Sequence, residues 1–285
     1  MAPPTAARLI AEATHRLGHL PDAALDADLL FRGLTGWSRA DLLARTDEPV
    51  ESRTASAFAA AVARRAGHEP IQYILGRAAF WRDEFVVSPA VLIPRPDTEV
   101  LVEAVVARLR GVEAASVLDI GTGSGCIALS LLRELPDARA LAVDVSEAAL
   151  EVARMNALTL GLQARVAFLR SNWLDAVPEA ASFDAVVSNP PYVATNDRPS
   201  LPTEVREFEP ALALFARESD DLSSYRAIVG QIGGRLRPSG LLAFEVGLGQ
   251  AERVAGVLSE NGYGPVETVN DLSGIGRVVV ARRNR

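Results

Sequence analysis

The residues Asn189-Pro190-Pro191-Tyr192 have the chemistry needed to hold a planar nitrogen group still. The Asn189 side-chain carbonyl and the Pro190 backbone carbonyl can each accept a hydrogen bond from an amide or amine N–H. The two prolines restrict the backbone, so the turn is stiff before a ligand arrives. Tyr192 offers a flat face on which a planar group can stack. The alternative is a polar turn after the apolar run 183–188, since Asn-Pro is a common turn sequence.

A glycine-rich loop, Gly-Thr-Gly-Ser-Gly at 121–125, follows an apolar run that contains Asp119. Its three glycines allow sharp turns and a close approach of the backbone to a ligand. The helix that is expected to follow presents free N–H groups that favour an anion. A dinucleotide fingerprint would place its third glycine at position 126, which is Cys126. The observed spacing behind an acidic residue is instead typical of S-adenosylmethionine enzymes.

Two more candidate ligand contacts follow the next predicted strands. Asp144 ends one strand, where its carboxylate can accept hydrogen bonds from ribose hydroxyls. It could instead cap the next helix, although Ser146 already suits that role. Trp173 follows the third strand and could stack on an adenine ring or merely pack the loop. Because ligands of open α/β sheets bind beyond the carboxyl ends of the strands, we expect these residues to converge with Asn189.

The positioning elements change character along the chain. The first ~75 residues predict four short amphipathic helices, and 78–96 predict a β-hairpin with its turn at 82–84 and a proline-rich connector. From Asp97 onward, helix and strand patterns alternate, which predicts a parallel sheet covered by helices on both sides. Two β-prone runs at 265–270 and 277–282 predict a terminal antiparallel hairpin. The predicted strands of the parallel sheet are 116–120, 139–143, 165–170, 185–188 and 241–246, and its helices are 97–110, 125–134, 146–160, 223–236 and 249–261.

The composition is that of a globular chain. Hydrophobic residues make up 49% and charged residues 23%, and no apolar run approaches the ~18 residues that cross a membrane. The first residues lack the basic start and apolar core of a signal peptide, so we expect a cytoplasmic protein. The net charge of −7 argues against nonspecific binding to phosphate backbones. The single cysteine excludes an internal disulfide, and the three histidines form no metal-ligand pattern with it, so no metal is expected.

Five segments form a distinctive set: Phe80-Trp81, 88–99, 119–125, Asn189 to Tyr192, and 277–282. Together they resemble the release-factor glutamine methyltransferases, the HemK family, over nearly the whole chain. The stretch 92–99, Leu-Ile-Pro-Arg-Pro-Asp-Thr-Glu, discriminates best because generic S-adenosylmethionine enzymes do not carry it. Within it, Arg95 and Glu99 could bind the amino-acid end of the cofactor or tie the connector to the sheet, and the structural role is favoured.

The resemblance implies a class I adenosylmethionine methyltransferase fold. This fold is an α/β, Rossmann-like domain, with a mostly parallel sheet that ends in an antiparallel hairpin, plus a small N-terminal helical bundle. The implied division is 1–75 for a bundle that docks the release factor, 76–96 for the hairpin and linker, and 97–285 for the methyltransferase domain. The implied partner is a class I peptide-chain release factor, with no stable nucleic acid and no membrane.

The resemblance also implies a reaction. The side-chain amide nitrogen (N5) of the glutamine in the release factor's Gly-Gly-Gln motif would be methylated from S-adenosyl-L-methionine, with S-adenosylhomocysteine as product. Asn189, Pro190 and Tyr192 would be catalytic and, with Pro191, would bind the glutamine. Family members usually have Asp at position 172, but Asn172 can still accept a hydrogen bond from the adenine amino group. The implied cofactor contacts are Gly121, Thr122, Gly123, Ser124, Gly125, Asp144, Asn172, Trp173 and Asn189.

Other functions remain open at the level of sequence. An adenine-N6 methyltransferase on DNA or RNA presents the same planar N–H₂ to Asn-Pro-Pro-Tyr, but it must extrude its base and usually needs a basic groove. A glutamine methyltransferase acting on a ribosomal protein shares these motifs. A non-catalytic S-adenosylmethionine-binding adaptor would retain cofactor binding without turnover, and the glycine spacing disfavours an NAD oxidoreductase.

Overall fold

The computed structural model describes residues 3–216 and 220–284, which fold into two compact units. The first unit consists of the chain up to Arg77 together with Pro202–Phe208, and the second consists of Ala78–Leu201 and the chain from Glu209 onward. The α-helices are α1 Ala6–Arg16, α2 Ala23–Thr35, α3 Arg39–Ala44, α4 Ser52–Ala66, α5 Ile71–Leu75, α6 Pro96–Leu109, α7 Cys126–Glu134, α8 Glu147–Thr159, α9 Thr203–Phe208, α10 Ala211–Leu214, α11 Ser223–Ile232 and α12 Ala251–Glu260. The strands are β1 Arg77–Phe80, β2 Asp83–Val86, β3 Ser116–Ile120, β4 Arg139–Asp144, β5 Val166–Arg170, β6 Phe183–Ser188, β7 Leu236–Glu245, β8 Tyr263–Asn270 and β9 Gly276–Arg283.

Local sequence explains the first unit. Thr5 caps α1, and Ser38 caps α3 in a reciprocal pair with Asp41, so two helix starts have their free N–H groups satisfied. The four helices predicted from apolar spacing correspond to α1–α4. Helix α5 was not predicted, because a helix of five residues is too short to show a period. The apolar faces meet in one core, in which Phe31 and Phe58 pack edge to face.

A buried ion pair also belongs to the first unit. Arg65 donates to Asp26 at 2.7 Å and to Glu204 of α9 at 2.7 Å. Burial of a guanidinium is costly unless it is paired. These two carboxylates therefore account for the presence of an arginine on the apolar face of α4.

The second unit contains a seven-stranded sheet with the order β5-β4-β3-β6-β7-β9-β8. Strands β3 to β7 are parallel, and β9 pairs antiparallel with both β7 and β8. Alternate residues of β6 belong to two separate apolar clusters, one with α6 and α7 and the other with α11 and α12. Both faces of the sheet are therefore covered, as is usual for parallel sheets. The predicted α/β fold with a terminal antiparallel hairpin is confirmed.

Several predicted boundaries differ from the structure, and three of the differences have a clear local cause. The turn of the first hairpin falls at Trp81 and Arg82, because Trp81 adopts a left-handed backbone (φ 56°) and the next residues already belong to β2. The predicted helix 223–236 is α-helical only to Ile232, where Gly233 has a φ of 49°, and it continues as a 3-10 turn over Gly233–Arg235. Strand β7 begins five residues earlier than predicted, since a register shift opposite β6 accommodates Pro-Ser-Gly in its first half.

The sheet order fixes where a ligand can bind. From β3 the chain continues outward to β4 and β5, and it then returns to place β6 on the other side of β3. This reversal creates a crevice at the carboxyl ends of β3 and β6. Within residues 3–216 and 220–284, no helix has the length and apolar character needed to cross a membrane.

Candidate active site

A cavity with about 1120 Å³ of empty volume, which includes open solvent, lies in the second unit at this crevice. Its lining includes nine of the residues predicted from sequence: Gly121, Thr122, Gly123, Ser124, Asp144, Asn172, Trp173, Asn189 and Pro191. Three other predicted residues, Gly125, Pro190 and Tyr192, do not line it. The structure therefore brings together residues from the ends of four parallel strands.

The glycine loop takes its shape from its own backbone. The N–H groups of Gly121 and Thr122 both donate to the Val143 carbonyl, at 2.9 and 3.0 Å, which folds the loop over the end of β4. Gly121 and Gly123 have φ values of 71° and 55°, which side chains disfavour, and a Cβ on either would meet no atom within 4 Å. These two positions therefore need glycine for backbone conformation, and they border open space.

Gly125 has a different role in the same loop. It also has a positive φ, 82°, but an added Cβ would lie 3.1 Å from the Leu129 side chain and 3.3 Å from the Ala153 Cβ. Leu129 belongs to α7 and Ala153 to α8. Gly125 thus permits close helix packing behind the loop, which explains why it does not line the cavity.

Asp144 closes the loop from the end of β4. Its Oδ2 accepts the Gly123 N–H at 2.9 Å, and its Oδ1 accepts the Ser146 N–H at 2.9 Å. Ser146 itself caps α8 by accepting the Ala149 N–H, so Asp144 is not the cap. Burial raises the pKa of Asp144, and these backbone hydrogen bonds oppose the rise. A carboxylate has about four acceptor positions, so Asp144 can also accept bonds from a ligand in the cavity.

Asp119 supports the loop from beneath. It is fully buried at the end of β3, and its Oδ2 accepts the Thr122 hydroxyl at 2.6 Å and the Ala128 N–H at 3.3 Å. Its Oδ1 has no hydrogen-bond partner among the described residues. Burial raises the pKa of Asp119 to about 7. The carboxyl therefore ties the loop to the first turn of α7.

Asn172 and Trp173 lie together on the cavity wall after β5. The Asn172 amide nitrogen donates to Asp175 at 2.9 Å, which directs its oxygen away from that carboxylate. Trp173 has a left-handed backbone (φ 51°) and packs partly against the core cluster next to α11. The turn thus presents an amide and an aromatic ring to the same cavity.

The Asn-Pro-Pro-Tyr segment begins directly after β6. Ser188, the last residue of β6, donates its hydroxyl to the Ile120 carbonyl at 2.6 Å and so joins the ends of β6 and β3. The Asn189 amide nitrogen donates to the Thr98 hydroxyl oxygen at 3.3 Å. The Pro191 carbonyl accepts the Ser224 hydroxyl at 2.8 Å. Both ends of the segment are therefore anchored, one to α6 and the other to α11.

Tyr192 does not line the cavity. Its backbone carbonyl accepts the Gln250 side-chain amide at 3.1 Å, and the residue is half-buried. Burial raises the pKa of Tyr192 to about 12. Pro190 is buried. Access of a substrate to the Tyr192 ring or to the Pro190 carbonyl stays a prediction.

Two carboxylates, those of Glu209 and Glu99, hold the stretch 92–99 in place through hydrogen bonds and an ion pair. Glu209 is buried; its Oε2 accepts the Ile93 N–H at 3.1 Å, and its Oε1 pairs with Arg95. Glu99 accepts the Trp81 N–H at 2.8 Å and so fixes the turn of the first hairpin. Both contacts agree with the structural roles that were favoured, although Arg95 also lines the cavity.

Comparison with known proteins gives the chain's family. The model of the PrmC N-terminal domain matches residues 8–76, and that of the methyltransferase small domain matches residues 95–205. A release factor glutamine methyltransferase of Rhodospirillum rubrum is 44% identical over 258 residues, covering 90% of this chain and 78% of that relative. The enzyme of the same name in Moorella thermoacetica is 43% identical over 98% of this chain and 99% of its own. The chain belongs to the release factor glutamine methyltransferase family.

A solved structure outside this family shows the same fold. The 16S rRNA N2 G1207 methyltransferase of T. Thermophilus, in complex with AdoMet and guanosine, has a TM-score of 0.53 and 23% identity, and the match covers 73% of this chain and 50% of that one. At that identity the likeness concerns the fold alone. The predicted family and fold class are both confirmed.

The family resemblance did not single out three side chains that shape the site. Thr98 and Glu209 contact Asn189 and Arg95, respectively, and Glu245 lies at the end of β7 with 2% of its surface exposed. Thr98 lies within the discriminating stretch 92–99, which was a usable signal. Glu209 and Glu245 gave no comparable signal, because a sequence does not show whether a carboxylate at the end of an element is buried.

Proposed function

We propose that this protein transfers the methyl group of S-adenosyl-L-methionine to the side-chain amide nitrogen of a glutamine in a peptide-chain release factor. The glutamine would be that of the Gly-Gly-Gln motif of class I factors, methylated at N5. One observation carries the proposal: Asn189 shares a single cavity with the glycine loop and Asp144. Membership of the release factor glutamine methyltransferase family supports the substrate.

The residues around the loop fit S-adenosyl-L-methionine. Gly121 and Gly123 leave their backbone open to the cavity, Asp144 has acceptor capacity for ribose hydroxyls, and Trp173 supplies an aromatic face. Thr122, Ser124 and Asn172 would complete the contacts. When bound, the cofactor supplies a methyl group activated on a sulfonium, and it leaves as S-adenosylhomocysteine.

The task of the protein is then to align a poor nucleophile. A carboxamide nitrogen is weakly nucleophilic because its lone pair is delocalised into the carbonyl. With its nitrogen engaged by Thr98, Asn189 has its Oδ1 as the atom that can accept a substrate N–H. The Pro190 carbonyl would accept the second N–H. Such positioning contributes roughly 7–11 kcal/mol when the geometry is near-attack, and both acceptors favour positive charge developing on the nitrogen.

The helical first unit would dock the release factor, with 76–96 as the connection to a methyltransferase domain at 97–285. The match to the PrmC N-terminal domain supports this division, and Leu43 of the first unit is 74% exposed and so accessible to a partner. Leu43→Glu should raise KM for the release factor without changing cofactor affinity. Leu272→Glu, at a fully exposed position of the second unit, is the matched control and should change neither quantity. Equal KM values for the two variants would contradict docking at Leu43.

The proposed function is tested by transfer of labelled methyl from S-adenosyl-L-methionine to four acceptors. These are purified release factor, its Gln→Ala variant in the Gly-Gly-Gln motif, a ribosomal-protein preparation and DNA. Label on the unmodified release factor alone is expected. Label on DNA, with none on the release factor, would support an adenine-N6 methyltransferase instead. Label confined to the ribosomal proteins would show that the substrate is a ribosomal protein.

A further inference from the structure

Glu245 lies beside Asn189 at the carboxyl ends of two neighbouring strands. Strands β6 and β7 are parallel, and Ser188 of β6 pairs with Phe244 of β7. The residues that follow this pair are Asn189 and Glu245, which are therefore neighbours. Glu245 is 2% exposed, and its backbone carbonyl accepts the Tyr225 hydroxyl at 3.0 Å. A carboxyl group is rarely buried this far unless polar groups pair with it.

The surroundings of the Glu245 carboxyl are incompletely paired. Its Oε2 has no hydrogen-bond partner among residues 3–216 and 220–284. Burial raises the pKa of Glu245 to about 7, while hydrogen bonding from Thr98 and Asn189 opposes the rise. Thr98 is itself buried and receives the Asn189 amide N–H at 3.3 Å. The three side chains therefore form one small polar cluster, of which Thr98 and Asn189 line the cavity.

The donor and acceptor capacities of these groups determine which atoms of the cluster donate and which accept. An ionised carboxylate can only accept, so the Thr98 hydroxyl and the Asn189 amide act as the donors in their hydrogen bonds with Glu245. The Thr98 hydroxyl oxygen is then left to accept, and it accepts from the Asn189 Nδ2, whose second hydrogen remains for Glu245. That choice places the Asn189 nitrogen toward Thr98 and its Oδ1 on the opposite side of the amide. If Glu245 could donate instead, the Thr98 proton would be equally able to point at Oδ1, and the amide could turn over.

We propose that Glu245, acting with Thr98, is a positioning residue that fixes which atom of the Asn189 amide is offered to the substrate. The inference rests on the proposed function for the identity of that substrate, because a glutamine amide needs an acceptor at this point and would be repelled by the NH₂ group. The orientation of Asn189 itself is independent of any substrate.

Other charged and titratable groups also face Glu245, so each must be considered in any pH dependence. Arg277 is already paired, with Asp97 at 3.0 Å and with Asp271 at 2.9 Å. The remaining groups act on Glu245, or are acted on by it, only through their charge or a backbone contact. Among the described residues, the groups that face Glu245 are Asp97 of α6, Arg277 of β9, Tyr192 after β6, Tyr225 of α11 and Cys126 of α7.

The kinetic test compares Glu245→Gln with Thr98→Val and Thr98→Ser. The glutamine side chain at position 245 keeps the shape of Glu245 but can donate an N–H. We therefore expect kcat to fall about 10–100-fold, the range for losing a hydrogen bond to a charged group. KM for the release factor should change less than kcat, and cofactor affinity should stay unchanged. Thr98→Val should lower kcat similarly, whereas Thr98→Ser keeps the hydroxyl and should restore it. Glu134→Gln is the control, since Glu134 accepts the Trp81 indole N–H at 2.9 Å and does not line this cavity.

A second readout needs no substrate. The ¹⁵N signal of the Asn189 side-chain amide, assigned with Asn189→Ala, should shift with a midpoint near the Glu245 pKa of about 7. Protonated Glu245 can donate to Thr98, so the wild-type kcat should also decline as pH falls through this range. In Glu245→Gln both the shift and the decline should disappear.

The two readouts separate this inference from the proposed function. The inference would be overturned, whatever the enzyme methylates, by either of two results. The Asn189 signal could be independent of pH in the wild type, or it could titrate in Glu245→Gln as it does in the wild type. If the Asn189 signal of the wild type titrates but the release factor is not labelled, the positioning role of Glu245 is supported and the proposed function is contradicted. Loss of melting temperature or cofactor affinity in Glu245→Gln, with kcat retained, would make Glu245 merely structural and overturn the inference.

Discussion

Two sides of one cavity are built from different kinds of hydrogen bond. On the glycine-loop side, formed by 121–125 and Asp144, backbone N–H groups of the loop bond to the Val143 carbonyl and the Asp144 carboxylate. On the Asn189 side, formed by Thr98, Asn189 and Glu245, side chains contact side chains. A backbone-built site depends on φ and ψ, whereas a side-chain-built site depends on which atom donates. The first side should therefore control cofactor affinity and the second should control turnover.

The largest expected effect is on the Asn189 side. Asn189→Ala removes the acceptor proposed for the substrate amide, and turnover should fall roughly 10²–10³-fold, the scale of losing one preorganised polar group. Cofactor affinity should be retained. Steady-state kinetics and calorimetric titration of S-adenosyl-L-methionine measure the two quantities. Asn172→Ala removes an amide that is proposed to contact the cofactor, and it should lower cofactor affinity with turnover at saturating cofactor retained. The same pattern in both variants would contradict separate roles for the cofactor contacts and Asn189.

Asp144→Ala tests the glycine-loop side. The change removes the acceptor for the Gly123 and Ser146 N–H groups and for the proposed ribose contacts. The dissociation constant of S-adenosyl-L-methionine should rise about 10–100-fold, with kcat at saturating cofactor nearly unchanged. Glu147→Ala, at the exposed start of α8, is the control and should bind cofactor normally. A fall in saturated kcat as large as that of Asn189→Ala would argue against a division of labour.

Gly123→Ala isolates the backbone contribution on the same side. There is room for the methyl group, but φ is 55°, so the substitution should destabilise the fold by roughly 1–2 kcal/mol through conformation alone. Gly256→Ala is a matched control, because Gly256 lies within α12 and its added Cβ would also meet no atom within 4 Å. There alanine should stabilise by up to about 1 kcal/mol. Denaturant unfolding of both variants should give opposite signs.

The smallest effect on activity is expected from the pH dependence of stability. Burial raises the folded-state pKa of Asp119 from 3.8 to about 7. The folded state therefore binds a proton more tightly than the unfolded chain does, so this contribution is full below pH about 4 and is lost as pH rises through about 7. Asp119→Asn should flatten the decline in melting temperature across this interval. A variant with the wild-type slope would show that Asp119 does not titrate there.

The strands and the glycine-loop side could largely be predicted from sequence. The alternation of helix and strand patterns identified the parallel sheet, and the strand-end positions of Gly121, Asp144 and Asn189 implied that they converge. Gly125 was predicted to contact the cofactor, but its Cβ position faces the Leu129 and Ala153 side chains. Such packing depends on how α7 lies against α8, which a local motif does not encode.

The Asn189 side was harder to predict because its members are far apart in the chain. Thr98 comes from α6 and Glu245 from β7, and only the register of β6 with β7 places Glu245 beside Asn189. In the sequence, Glu245 ends an apolar strand, where a carboxylate is as readily exposed as buried. Its burial follows from the cover that α6 and β9 provide, which is a property of the assembled domain.

Fragmentation mass spectrometry of a release factor after incubation with this protein and S-adenosyl-L-methionine is the most direct test. The account predicts a mass increase of one methylene on the glutamine of the Gly-Gly-Gln motif, strongly reduced with Asn189→Ala. A modification on any other residue, or an unmodified glutamine after complete incubation with an enzyme that binds its cofactor, would contradict the account.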